Sequence, residues 1–284
     1  VGSGDESISE EDGWAVDFDK YIATVGKVKL ELVADAGKTV TDDNVYVVDL
    51  TKIDPDGLKG LWTFEDLAVG RWTFNYYSLN ATSSATRHED SVSEVDFEKM
   101  KTGGYSYLIE GKITKTGGQS CPPAAHATPG TKTSNGKTSA LGDPCYDATE
   151  TISFAFSAPA ETGYGPCEID EVPGVAISAD STTTAAMSIH GDHIVFNGFP
   201  EGDEAEVIRR AQWIADCDLN LDGMVDNEEL KAIPFEELAE IDNTRYDISG
   251  ARIPLTTVYE YLKAQLLTQG HFQGEGECPP LSLP

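Results

Sequence analysis

Apolar and polar positions alternate along much of the first two-thirds of the chain. Lys27-Val-Lys-Leu-Glu-Leu-Val33 shows it most cleanly, with Val28, Leu30 and Leu32 on one side and Lys27, Lys29 and Glu31 on the other. A period of two is that of a β-strand with one buried face. Similar short runs, rich in β-branched and aromatic residues, lie at 44–50, 61–64, 70–79, 105–114, 151–157, 174–178 and 183–196. Gly, Pro, Asp and Asn separate them, a pattern that predicts an antiparallel β-sandwich. Between 115 and 143 Gly, Pro, Ser and Thr dominate and little can be buried, which predicts a long surface loop.

Near Pro200 the period lengthens. Asp203 is placed to cap a helix whose Val207, Ala211 and Ile214 share a face. A short helix is expected before Pro234, another over 235–241 and a last one over 255–267, where Val258, Leu262 and Leu266 form an apolar stripe. The fold class expected is therefore mainly β with α. It comprises an acidic leader over 1–20, an antiparallel β-sandwich over 21–200, and a helical subdomain with a tail over 201–284.

Between two of the expected helices runs Asp218-Leu-Asn-Leu-Asp-Gly-Met-Val-Asp-Asn-Glu-Glu229. A calcium ion takes six to eight hard oxygen ligands, which one short segment supplies when its oxygens stand at loop positions 1, 3, 5, 7, 9 and 12. Those positions hold Asp218, Asn220, Asp222, Met224 (through its carbonyl), Asp226 and Glu229. Gly223 takes the sharp turn at position 6, and Val225 is the β-branched residue at position 8. This resembles the EF-hand family, which implies bound Ca2+ and makes the last region an EF-hand helical subdomain. Dockerin-type repeats have a similar loop but normally close it with Asp and occur as duplicated pairs, whereas Glu229 closes this one. The segment 241–252 places Ile248 at the equivalent of position 8 but ends in Arg252. It is expected to be a degenerate partner loop that braces Val225 without holding calcium. One site with such a partner favours a structural staple over a steep sensor.

A second constellation is Ser188-Ile-His-Gly-Asp-His193, with His271 in the tail. Two imidazoles around a glycine, joined by a third, suit a transition metal, Zn2+ or Cu2+, with His190, His193 and His271 as ligands. Asp192 is expected to ligate or to orient a histidine. The bland alternative is a set of hydrogen-bonded side chains that holds the tail in place. His88 and His126 read as ordinary exposed residues.

Composition narrows the setting. Asp and Glu number 49 against 20 Lys and Arg, a formal net charge of −29. Such a surface repels nucleic acid and anionic membrane. No stretch approaches the roughly 18 apolar residues of a membrane span. Cys121 and Cys145 bracket the Gly/Pro/Ser/Thr-rich loop and are expected to clasp it, while a Cys167–Cys278 bridge would tie the tail to the β region. Other pairings are arithmetically open. Cys217 is expected to be half-buried and outside any bridge. Disulfides imply export, to a periplasmic, cell-surface or extracellular setting.

The opening residues, Val1-Gly-Ser-Gly-Asp-Glu-Ser-Ile-Ser-Glu-Glu-Asp12, resemble the leader of mature bacterial surface lipoproteins, which implies an N-terminal lipid anchor. Trp62-Thr-Phe-Glu-Asp-Leu-Ala-Val-Gly-Arg-Trp-Thr-Phe74 resembles a motif of transthyretin-like and collagen-adhesin-type modules, which supports the sandwich and says nothing of function. No Gly-x-Ser-x-Gly elbow, phosphate loop, dinucleotide glycine fingerprint or His-Glu-x-x-His helix is present. The expectation is an exported, non-enzymatic calcium-binding protein that also binds a transition metal. The alternative is a structural or adhesive subunit, rigidified by calcium, that contacts itself or another surface protein.

Overall fold

The computed structural model describes residues 8–9, 12–52, 60–199, 207–238 and 246–283. Outside them fall most of the leader, Asp203 and the first half of the expected partner loop. In chain order the main elements are β1 (Ala15–Leu32), β2 (Asp35–Asp49), β3 (Gly70–Ser78), α1 (Glu94–Gly103), β4 (Tyr107–Thr114), β5 (Thr151–Ala158), β6 (Thr162–Tyr164), β7 (Val175–Ile177) and β8 (Met187–Ile189). They continue with α2 (Gln212–Asp216), β9 (Met224–Asp226), α3 (Asn227–Ala232), α4 (Val258–Leu266), β10 (Gly270–Phe272) and β11 (Pro280–Leu281). The chain is mainly β with α, as the alternation predicts. Strand 61–64 does not form, and 183–196 yields only β8 followed by a 3-10 turn at Gly191–Val195.

Among the described residues the strands form one large curled sheet of eleven, whose main path runs β9-β5-β4-β1-β3-β6-β11. Strand β1 makes the curl. One of its edges pairs with β2 along Ile22–Leu32. The other is shared, by β4 along Ala15–Ala23 and then by β3 along Val25–Leu32. The strand bends where the register slips between Gly26 and Val28, with Lys27 at a positive φ of 53°. A Cβ on Gly26 would meet the Asn44 carbonyl at 2.6 Å, so glycine lets β2 approach the bend.

Tyr21, Ala23 and Val25 point into the main core, which also holds Trp72, Tyr76, Tyr107, Phe154, Phe156 and, from the helical region, Trp213, Leu230 and Tyr261. Described residues from the helical region are therefore built into the same core as the sheet. Ile22 faces the other way, into a small second core with Val47, Leu108 and the α1 residues Phe97 and Met100. Helix α1 was not anticipated: it turns only those two side chains inward, and Val95 is exposed. Ser93 caps its start by accepting from the Asp96 amide, and Gly104 ends it in the left-handed conformation.

Both expected disulfides are formed, Cys121–Cys145 and Cys167–Cys278. Cys217 is the free cysteine and is wholly buried rather than half-buried. Segments near each end of the chain are fastened to different parts of the body. Gln212 donates its amide to Asp12 at 2.7 Å and accepts from the Trp14 indole at 2.9 Å, and β11 near the C-terminus pairs with β6.

Phe154 sits at the crossing of these parts: it packs between Phe18 and Phe156, opposite Gly111 of β4 and Val225 of β9. Phe154→Ala is expected to cost about 3–5 kcal/mol of unfolding free energy by cavity formation. Urea denaturation of wild type and variant checks this.

Candidate functional site

The acidic loop is seated between two supports. On one side its short strand β9 pairs in parallel with β5, Val225 lying opposite Phe154, and the Ser153 amide donates to the Gly223 carbonyl at 2.9 Å. The Val225 side chain is fully buried. The expected partner, Ile248, is 40% exposed, so the brace at position 8 comes from the sheet and not from a second loop. The described part of that segment pairs elsewhere, Asp247 bridging Gly198. On the other side lies the insertion clasped by Cys121–Cys145. Its Thr128 amide donates to the Leu219 carbonyl at 2.7 Å, and Lys132 Nζ donates to the Leu221 carbonyl at 2.6 Å. At the root of the insertion the Cys121 amide donates to Asp216 and the Ser120 hydroxyl to the Ala215 carbonyl, so α2 is held as well. His126, expected to be an idle surface residue, bonds Glu237 at 2.9 Å.

Within the loop the carboxylates are bonded to backbone amides. Asp218 accepts from Asp222 at 3.0 Å and from Gly223 at 3.0 Å, Asn220 accepts from Asp222 at 2.7 Å, and Asp222 accepts from Met224 at 2.9 Å. Gly223 has a φ of +85°, which a side chain would strain. Asp226 caps α3 by accepting from Glu228 and Glu229, and Glu229 answers by accepting from Asp226. The other oxygen of Glu229 accepts from Leu219 at 2.9 Å, so this side chain joins the last position of the loop to its second. Asn227 then clamps α3 to the sheet through the backbone of Ser157, at 2.7 and 3.2 Å.

The charges in this loop repel one another. Burial raises the carboxyl of Asp218 above its ordinary range, and the charge of Asp222 adds to the effect. Burial likewise pushes Glu229 up to about 7, with Asp218 and Asp226 as further negative neighbours. The donor set, the glycine turn and this excess of half-buried negative charge fit a hard divalent cation.

The histidines come together from two segments far apart in sequence. One ring nitrogen from each of His190, His193 and His271 lies within 4.8 Å of the other two, the one set of three such ligand atoms so gathered among the described residues. The His190 and His271 rings stack at 4.0 Å between centroids. His193 stands nearly perpendicular to both and stacks on Phe196 at 4.3 Å. The first two histidines lie at the 3-10 turn, and His271 lies in β10 opposite Ser188 of β8. Beneath the turn is an aromatic floor: a Cβ on Gly191 would meet Tyr21 at 2.9 Å. The Tyr76 hydroxyl donates to the His271 carbonyl at 2.9 Å, and Gln269 receives the Tyr21 hydroxyl at 2.6 Å and presents its carbonyl to the His190 amide.

Hydrogen bonds fix two of the ring tautomers. A carbonyl only accepts, so the 3.0 Å contact between His190 Nε2 and the Gly274 carbonyl puts a proton on Nε2. The Thr268 hydroxyl donates to the Gln265 carbonyl at 2.8 Å and therefore accepts, at 2.7 Å, from His193 Nδ1. In the neutral rings the lone pairs are then on Nδ1 of His190 and Nε2 of His193. Metal-ligating histidines are oriented by such outer contacts. The Asp192 carboxylate pairs with Arg209 at 2.6 Å. Gly274, Thr268 and Gln269 were not legible as site residues, because nothing in their local sequence marks them.

Glu229 gives a pH test. In chelator, the folded chain holds the Glu229 proton between the ordinary 4.5 and about 7, while the unfolded chain has lost it. This group therefore makes metal-free stability fall as pH rises through that window, with the penalty complete above about 7. Urea midpoints measured across it are expected to slope downward, and less steeply in Glu229→Gln.

No protein-family model, curated protein or solved structure matches this chain, so the reading of its function rests on these two groups of side chains.

Proposed function

We propose that the chain is an exported metal-binding protein that acts without turnover: the trihistidine cluster takes a borderline divalent ion, Zn2+ or Cu2+, and the acidic loop takes calcium as a structural staple. The observation that carries the reading is the gathering of His190, His193 and His271 within 4.8 Å. Three neutral imidazoles suit these ions better than Mg2+ or Ca2+, which take oxygen donors. Calcium is supported by the donor set of Asp218, Asn220, Asp222, Met224, Asp226 and Glu229, and by the acidic groups that the fold takes out of water, Asp218 buried and Glu229 half-buried. Export is supported by the two disulfides, which persist in oxidising compartments. No helix among the described residues is long and apolar enough to cross a membrane.

What calcium would supply is positive charge at the root of α3 and α2. The chain itself provides the rigid frame: β5 holds Val225, the insertion holds Leu219 and Leu221, and the acids follow from that backbone.

Metal analysis of protein purified without chelator tests the first site. Wild type is expected to carry about one equivalent of zinc or copper, and His190→Ala/His193→Ala to carry none. Absence of both metals from wild type, even after incubation with each, would end the transition-metal reading. For the loop, calcium is expected to raise the melting temperature of wild type and to leave Glu229→Gln unmoved. An identical wild-type melting curve in calcium and in chelator rules out the staple.

A further inference from the structure

The two candidate sites are wired together, and we propose that calcium in the acidic loop controls the affinity of the trihistidine cluster. This rests on the metal-binding reading above and adds regulation to it.

One route runs through the helix that enters the loop. Asp218 follows α2 directly, with Cys217 between. Just before α2, residues 208–210 form an antiparallel ladder with 195–197: the Arg210 amide donates to the Val195 carbonyl at 2.8 Å, and the Asn197 amide to the Ile208 carbonyl at 2.9 Å. Arg209 adds its ion pair with Asp192 and lies over the Phe196 ring, on which His193 is stacked. The segment that carries His190 and His193 is thus fastened to the segment that leads into Asp218.

The other route runs through the helix that leaves the loop. Glu229 lies on α3, which packs against α4. The chain between them closes on itself, the Val258 amide donating to the Ile233 carbonyl at 3.1 Å and the Phe235 amide to the Thr256 carbonyl at 3.2 Å. From the end of α4, Thr268 accepts from His193, Gln269 accepts from the His190 amide, and β10 then delivers His271. Tyr261 and Gln265 of α4 also donate to the Phe196 carbonyl, so α4 touches both segments of the cluster.

The trihistidine cluster is therefore attached to both helices of the calcium loop, its His190–His193 segment to the approach of α2 and to α4, and its His271 segment through α4 to α3. The Glu229 carboxylate, through its bond to the Leu219 amide, is what joins those helices across the loop. With calcium absent, the like charges of Asp218, Asp226 and Glu229 oppose that closure; a bound cation removes the opposition and fixes α2 against α3. Fixing the helices fixes the spacing of His193 and His271. Such a linkage is reciprocal: a metal on the histidines must tighten calcium by the same factor.

The test is a titration of Co2+, followed by its visible absorption, into full-length wild type in metal-depleted buffer, with and without saturating calcium. Calcium is expected to tighten cobalt about five-fold or more, the lower end of ordinary allosteric coupling. The response is expected to vanish in Glu229→Gln, and a calcium titration with and without Co2+ should return the same factor. Equal cobalt affinity in the two conditions overturns the coupling while leaving the metal site standing. Cobalt that binds in neither condition overturns both. Far-UV circular dichroism is recorded in each state, and loss of the β signal without calcium would assign the effect to unfolding and overturn the local route.

Discussion

The parallel pairing of three loop residues with the edge of β5 is the contact on which the architecture of both sites turns. It puts Val225 into the core beside Phe154 and so settles where the acidic loop can lie. A free EF-hand-like loop finds its brace in a second loop; this one finds it in a sheet. The consequence is rigidity on one flank, where backbone hydrogen bonds and an aromatic core resist movement. The other flank is held by the clasped insertion through a few backbone contacts at Leu219 and Leu221. The loop is anchored in the fold before any ion is considered.

Against that rigid frame stands a local excess of negative charge. A chain with a net charge of −29 stays dispersed because its charges are solvated and screened. Asp218 and Glu229 are different, because the fold takes them partly out of water and sets them beside other acids. Their amide contacts offset part of that cost. Around the histidines the donors are ring nitrogens: His190 stacks on His271, His193 stacks on Phe196, and ring N–H groups of His190 and His193 are directed onto Gly274 and Thr268. Hard anionic oxygen in one place and neutral nitrogen in the other would sort two classes of cation by chemistry alone.

How much of this could be read from the sequence depended on how far the information was local. The strands with one wet face, β3, β4 and β5, alternate cleanly and were found. Strand β1 was recognised only from Lys27, because Tyr21 to Val25 are buried on both faces and the bulges around Phe18 and Lys27 break the period. Both disulfides were legible because cysteines in loops and tails have few other uses. The acidic loop was legible because its ligands must be close in sequence; its partner was not, since Phe154 lies some seventy residues upstream. The three histidines come together as their sequence pattern suggested, and Asp192, beside them in sequence, pairs with Arg209.

Contacts between segments far apart in sequence bear on how the protein comes to fold. Trp14 and Asp12 are bonded to Gln212, β6 waits for β11, and Cys167 waits for Cys278. Folds dominated by such distant contacts form slowly, since much chain must be ordered before the contacts reward it. In a chain made in order, β5 has β4 ready but waits for β9, and β6 has β3 ready but waits for β11. Until then the edge of β5, with Ile152, Phe154 and Phe156, is an open template for the wrong strand. Delayed closure makes that edge the place where the folding chain is most open to mispairing.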